Sequence, residues 1–273
     1  MNNTAYREHY FREKKKMKLL PLLAGATTAE LYAAGKQQGD SVVGMDSTHI
    51  VKVPLNSNAE LFGMSKDILW VSNNGAVSID SLDTNDDDDI MNNLVFAPLW
   101  GTSSSGDKPT NGKIFYRVMD SSDAAWGEVG AHLDGVQSGF QLTNAFMITF
   151  KNVINPMASD EKNNYQMVIA KGSANGTIQN HVIFNYHQMS WVPDDVTFGV
   201  FAALKETQQC GRHVPNMPQT PDGLKDGTNM GQKGKWVMSF GSDLECDAQR
   251  FRTECPEPSG TFTYLTRTKH SKS

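Results

Sequence analysis

Apolar and polar residues alternate along this chain in short runs, the period of a β-strand with one face buried. Phe146, Ile148 and Phe150 share one side of an extended segment, and Met147, Thr149 and Lys151 share the other. Val182, Phe184 and Tyr186 repeat the pattern. Further runs are WVSNNGAVSI (70–79), VFAPLW (95–100), GKIFYRV (112–118), FMITFKNV (146–153), YQMVIA (165–170) and HVIFNYHQMSW (181–191). Each reads as a strand. Asn74-Gly75 predicts a hairpin, because a type I′ turn needs positive φ at both central positions. The run FGVFAAL (198–204) is apolar on both sides and predicts a central strand covered on both faces. WVMSFG (236–241) predicts the closing strand.

One stretch has a different period. Between Asp123 and Val136, apolar residues Trp126, Val129, Leu133 and Val136 recur at steps of three and four. Ser121, Ser122 or Asp123 offers a cap at its start and Gly139 a stop at its end. The predicted fold is therefore mostly β: an antiparallel, two-layer sandwich-like domain with at least one packed amphipathic helix. Trp70, Phe96, Phe115, Phe150, Phe184 and Trp236 are expected in its core.

The order of these segments closely resembles the NIDO domain, an extracellular module found in nidogen, alpha-tectorin and a membrane mucin. The resemblance runs from about Ser41 to Gly241 and is carried by SNNGAVSI, FAPLW, GKIFYRV and VIFNY followed by Trp191. It implies a compact β-rich module acting in cell–matrix adhesion or in assembly of an extracellular layer. It also implies partners among matrix or cell-surface proteins or glycans. The chain departs from the family where acidic residues usually follow APLW, since GTSSSG (101–106) stands there.

The 273 residues can bury a sizeable core without metal or dense disulfides. A net charge of −5 argues against general affinity for nucleic-acid backbone. Residues 1–16 read as a disordered polar and basic extension. Residues 17–39 read as a secretory signal and linker, with Leu19 to Ala26 as the apolar run and cleavage after Ala29. Residues 40–242 form the expected domain, and 243–273 a tail holding a cysteine pair. No segment has the roughly 20 apolar residues of a membrane-spanning helix. A secreted, extracellular product is the expectation. Cys246 and Cys255 are expected to form a disulfide, leaving Cys210 unpaired or intermolecular. Asn175-Gly176-Thr177 is an N-glycosylation sequon in an expected surface turn.

Catalytic and metal-binding patterns fare poorly. Asp83 and Asp86 to Asp89 concentrate carboxylates without the spacing of a calcium loop, and they read as a solvated acidic segment. His181 and His187 share a strand face only if no bulge intervenes. Cys210-Gly-Arg-His213 has a zinc-like interval but no second ligand pair. The sequence has no G-x-S-x-G elbow, and GQKGK (231–235) lacks the spacing of a phosphate loop and reads as a turn. Glu128, Asp134, Asp194 and Asp195 have no defined separation. No catalytic residue, cofactor or metal is therefore assigned. The expected function is non-catalytic adhesion. The alternative is a secreted hydrolase acting on an extracellular polymer, which would need two carboxylates facing each other across a cleft at roughly 5–10 Å.

Overall fold

A computed structural model describes residues 30–44, 50–62, 64–72, 75–79, 94–100, 112–155, 158–192, 197–204, 208–212, 217–218 and 220–241. Twelve strands are described in two antiparallel sheets. They are β1 (Ser41–Gly44), β2 (Ile50–Leu61), β3 (Met64–Ser72), β4 (Val77–Ser78), β5 (Val95–Trp100) and β6 (Lys113–Met119). The series continues with β7 (Gln141–Asn155), β8 (Ala158–Ala174), β9 (Thr177–Gln188), β10 (Thr197–Leu204), β11 (Gln208–Arg212) and β12 (Lys235–Phe240). One sheet runs β1-β6-β7-β8-β9-β12, and the other runs β11-β10-β5-β4-β3-β2. Helix α1 (Trp126–Val136), the short helix α2 (Pro221–Asp226) and a 3-10 turn (Lys36–Gln38) complete the described elements.

The predicted alternation decides which side chains meet between the sheets. Phe146, Ile148 and Phe150 of β7 join Tyr165, Met167 and Ile169 of β8 in one continuous core. Val182, Phe184 and Tyr186 of β9 and Trp236, Met238 and Phe240 of β12 extend it. Val53, Leu69, Val71, Val77 and Phe96 close it from the second sheet. Phe150 stacks on Tyr165 at 4.6 Å and 11°. The Tyr186 hydroxyl donates to the Pro98 carbonyl, which ties one sheet to the other through a polar tip on an apolar body. Burial holds both Tyr165 and Tyr186 protonated, far above the usual phenol range.

The hairpin expected at Asn74-Gly75 joins β3 to β4, with Trp70 opposite Ser78 and Val71 opposite Val77. Gly75 has φ +88°, and a Cβ there would sit 2.0 Å from the Leu99 carbonyl oxygen, so no other residue fits. Asn74 itself lies outside the described residues. β10 occupies an interior position, between β11 and β5, as its two-sided apolar run predicts. β12 is the last strand and forms a sheet edge.

Three details differ from expectation. The helix begins at Trp126 rather than Asp123, and Ala125 occupies the cap without a side-chain bond. Asp123 accepts instead from the Ala125 backbone N–H at 2.8 Å and pairs with Arg117, so its carboxylate is committed elsewhere. Val136 is 38% exposed, and only Val129 and Leu133 are fully buried on that helix. Five of the six expected core aromatics are buried, but Trp70 is half-buried. Its indole lies on the outer side of the second sheet with the Lys52 ammonium 4.4 Å from the ring centroid.

Candidate binding face

The outer face of the first sheet is built in rows that run across the strands. Register places Phe115, Thr149, Gln166, Asn185 and Lys235 side by side across β6, β7, β8, β9 and β12. The next row, Arg117, Met147, Val168, Ile183 and Val237, is mostly apolar, and the row beyond it holds Ala145, Ala170, His181 and Ser239. Helix α1 covers the apolar part, with Val129 and Leu133 packed among Met147, Val168 and Ile183.

The polar row is covered by the segment 30–40, part of which the sequence reading placed in the linker ahead of the domain. Gln166 grips its backbone twice: Tyr32 N–H donates to Oε1 at 3.0 Å and Nε2 donates to the Tyr32 carbonyl at 3.2 Å. Asn185 Nδ2 and Lys235 Nζ both donate to the Glu30 carbonyl, at 3.0 and 2.6 Å. Tyr32 is buried, with its hydroxyl 2.8 Å from His132 Nδ1 on α1 and the Lys235 ammonium 4.6 Å from its ring centroid. Burial lowers the Lys235 pKa, partly offset by Glu128 and Glu30, and raises that of Tyr32. His132 is held down to about 4 by burial and by the charge of Lys235. His181 is held to about 4 by burial alone.

The far end of this strap is fixed by charge. Arg117 pairs with Asp40 of the strap and with Asp123 before α1, and donates to the Ala33 carbonyl at 2.8 Å. All three side chains are nearly or fully shielded from water. Burial alone would lower the guanidinium pKa, but the hydrogen bonds it donates to the Asp123 and Asp40 carboxylates more than offset it and hold it above its ordinary value. Such a triad stabilises only because every charge has a partner.

Beside the strap runs an open groove of three adjoining depressions, about 470, 440 and 190 Å³, all lined by Phe115 and Lys151. Two strand irregularities shape it. β7 spends Lys151 and Asn152 against the single Asn164 of β8, and β9 has an extra residue, His187, between the partners of Asn164 and Tyr165. Asn164 pins both, accepting from the Asn152 N–H and donating to the Gln188 side chain, each at 2.8 Å. Asn152 adopts φ +55°, and bulges of this kind re-aim the side chains beside them.

The chain matches the family model of the nidogen-like domain over residues 67–242. It belongs to that family. No curated protein and no solved structure matches the chain. The nidogen-like match begins inside β3, so the strap, β1 and β2 lie ahead of it, although β1 and β2 form one edge of each sheet.

Within this nidogen-like frame the candidate residues are scattered. Asn175 is exposed at the β8–β9 turn, with φ +50° and Gly176 at +77°. Cys210 lies in β11 opposite Ala202. Cys246, Cys255, His213, Asp194, Asp195 and the acidic run 83–89 lie outside the described residues. His181 is buried, with Nδ1 2.9 Å from the Ser239 hydroxyl, whereas His187 is exposed at the bulge. The structure therefore does not present the two as a pair. Glu128 and Asp134 are both exposed on α1, six residues and so roughly 120° apart around the helix. They do not face each other. No group of three metal-ligating side chains occurs among the described residues. Tyr32, Arg117, Gln166 and Lys235, which organise the outer face, were not singled out by sequence.

Proposed function

We propose that this chain is a non-catalytic extracellular protein acting in cell–matrix adhesion or matrix assembly through its nidogen-like module. The match over residues 67–242 carries this reading, because the family is typical of extracellular proteins and is in general non-enzymatic. No described helix is long and apolar enough to cross a membrane. One further observation supports the reading. Trp70 and Trp100 lie half-buried on the outer side of the second sheet, near Ile50, the kind of amphipathic surface that protein partners use. In this reading a leader is removed after Ala29, the strap docks on a single domain spanning 40–242, Asn175 carries a glycan, and Cys246 and Cys255 form a disulfide in the tail.

Expression in eukaryotic cells tests the proposal as a whole. The expected product is secreted, begins at Glu30, and loses mass on deglycosylation unless Asn175→Gln is present. Deleting 40–242 should abolish retention in the extracellular layer, and deleting 243–273 should reduce it less. A product kept inside the cell would overturn the reading. So would a purified domain that hydrolyses a polysaccharide and loses that activity when one carboxylate is neutralised.

A further inference from the structure

We infer that the groove beside the strap binds an anionic polysaccharide, with Lys36, Lys113 and Lys151 holding its acidic groups. The inference rests on the extracellular binding role proposed above and names the ligand class for one face of the module. Lys113 and Lys151 are directly opposite each other across β6 and β7, and both are exposed. Like charges placed so, with Cβ atoms about 5 Å apart, repel and cost stability. Lys36 lines the groove from the strap side. Among the described residues none of the three has an ion-pair partner. Glu30 is the one described carboxylate in the lining. An uncompensated basic strip is a local departure for a chain of net charge −5.

The remaining lining fits a sugar polymer better than a compact anion. The three depressions share Phe115 and Lys151 and so adjoin one another, and the amide residues Gln37 and Asn152 are part of their lining. Amides donate to and accept from sugar hydroxyls, and Phe115 gives the groove an apolar floor. Lysine ammonium groups act as point charges that accept sulfate or carboxylate without demanding a bidentate geometry. The paired bulges place Lys151 and His187 at opposite sides of Asn164, so the irregular backbone and the basic lining coincide.

The test uses the secreted protein and four immobilised probes: a heparin octasaccharide, a hyaluronan octasaccharide, neutral dextran and polyaspartate. Sulfated or carboxylated oligosaccharide should bind, weaken as salt rises, and lose about tenfold in affinity in K113Q/K151Q. The preference between heparin and hyaluronan identifies which anionic group is read. K225Q/K233Q removes the same charge near α2 and should leave binding unchanged. If K113Q/K151Q fails to fold, Lys36→Gln on the strap should still lower affinity measurably. Failure of both oligosaccharides to bind, equal loss in the two double variants, or polyaspartate binding as tightly as either glycan would overturn the inference. A wild-type chain that is secreted and retained without binding either glycan would sink the groove and leave the adhesion reading standing.

Discussion

The two faces of the first sheet are held by different physics. Between the sheets, Phe150, Tyr165, Phe184 and Trp236 remove apolar area from water and need only fill space. On the outer face, Gln166, Asn185, Arg117 and Lys235 are buried polar groups that hold their place by pairing with a strap of backbone. The inner face is tolerant of conservative exchange and intolerant of voids. The outer face is intolerant of any unpaired partner, because a buried polar group without its bond pays full desolvation. Among the described residues, Asn185 Oδ1 and His181 Nε2 are the exceptions on this face, with no hydrogen-bond partner.

The largest effect should come from a void on the inner face. Phe184→Ala is expected to cost about 4 kcal/mol of unfolding free energy, measured by denaturant titration, because the ring is fully enclosed between the sheets. Next comes the outer face. Arg117→Ala leaves Asp40 and Asp123 shielded and unpaired, and should cost about 3 kcal/mol, more than Arg117 would lose on packing grounds alone. An Arg117→Ala loss under 1 kcal/mol would break the contrast between the faces.

Acid should separate the faces further. The rings of His181 and His132 titrate near 4 in the folded chain, against 6.5 for an ordinary imidazole. Between those values the unfolded chain binds more protons than the folded one. Stability is therefore complete above about pH 6.5 and falls as pH drops towards 4. Denaturation midpoints at pH 7, 5.5 and 4.5 should decline in that order, and His181→Gln should flatten the decline. A flat profile would mean that these rings meet solvent. The smallest effect is Tyr32→Phe, which removes one hydroxyl from His132 and should cost about 1 kcal/mol by thermal melting.

This contrast also explains what could be read without coordinates. Period-two alternation puts Phe146, Ile148 and Phe150 on one face and Met147, Thr149 and Lys151 on the other, and the structure separates the six in that way, the first set between the sheets. The hairpin followed from Asn-Gly chemistry, and the helix from its apolar spacing. The strap was illegible because nothing local defines it. Residues 30–40 carry no strand or helix period, and the partners of Tyr32 and Glu30 lie 134 and 205 positions away. The helix start was misplaced for a related reason: Asp123 looks like a cap until Arg117 claims it. Trp70 is expected inside as a large aromatic, whereas it alternates with the fully buried Leu69 and Val71 and so falls on the outer side of its sheet, beside Lys52. The groove is partly legible, since alternation sets Lys151 on the face opposite Phe150, but the bulges that aim it have no sequence signature.

The bond from Lys235 to the Glu30 carbonyl sets an order of events in the making of the protein. Translation proceeds from the N-terminus at roughly 5–20 residues per second, so Glu30 leaves the ribosome some 10–40 s before Lys235 does. Throughout that interval the strap has no final strand to lie against. The strap's bonds to Gln166 and Asn185 already span 134 and 155 positions, so its docking waits on the closure of long loops. The first described residue to be synthesised thus gains its last hydrogen bond only when the final strand has been made.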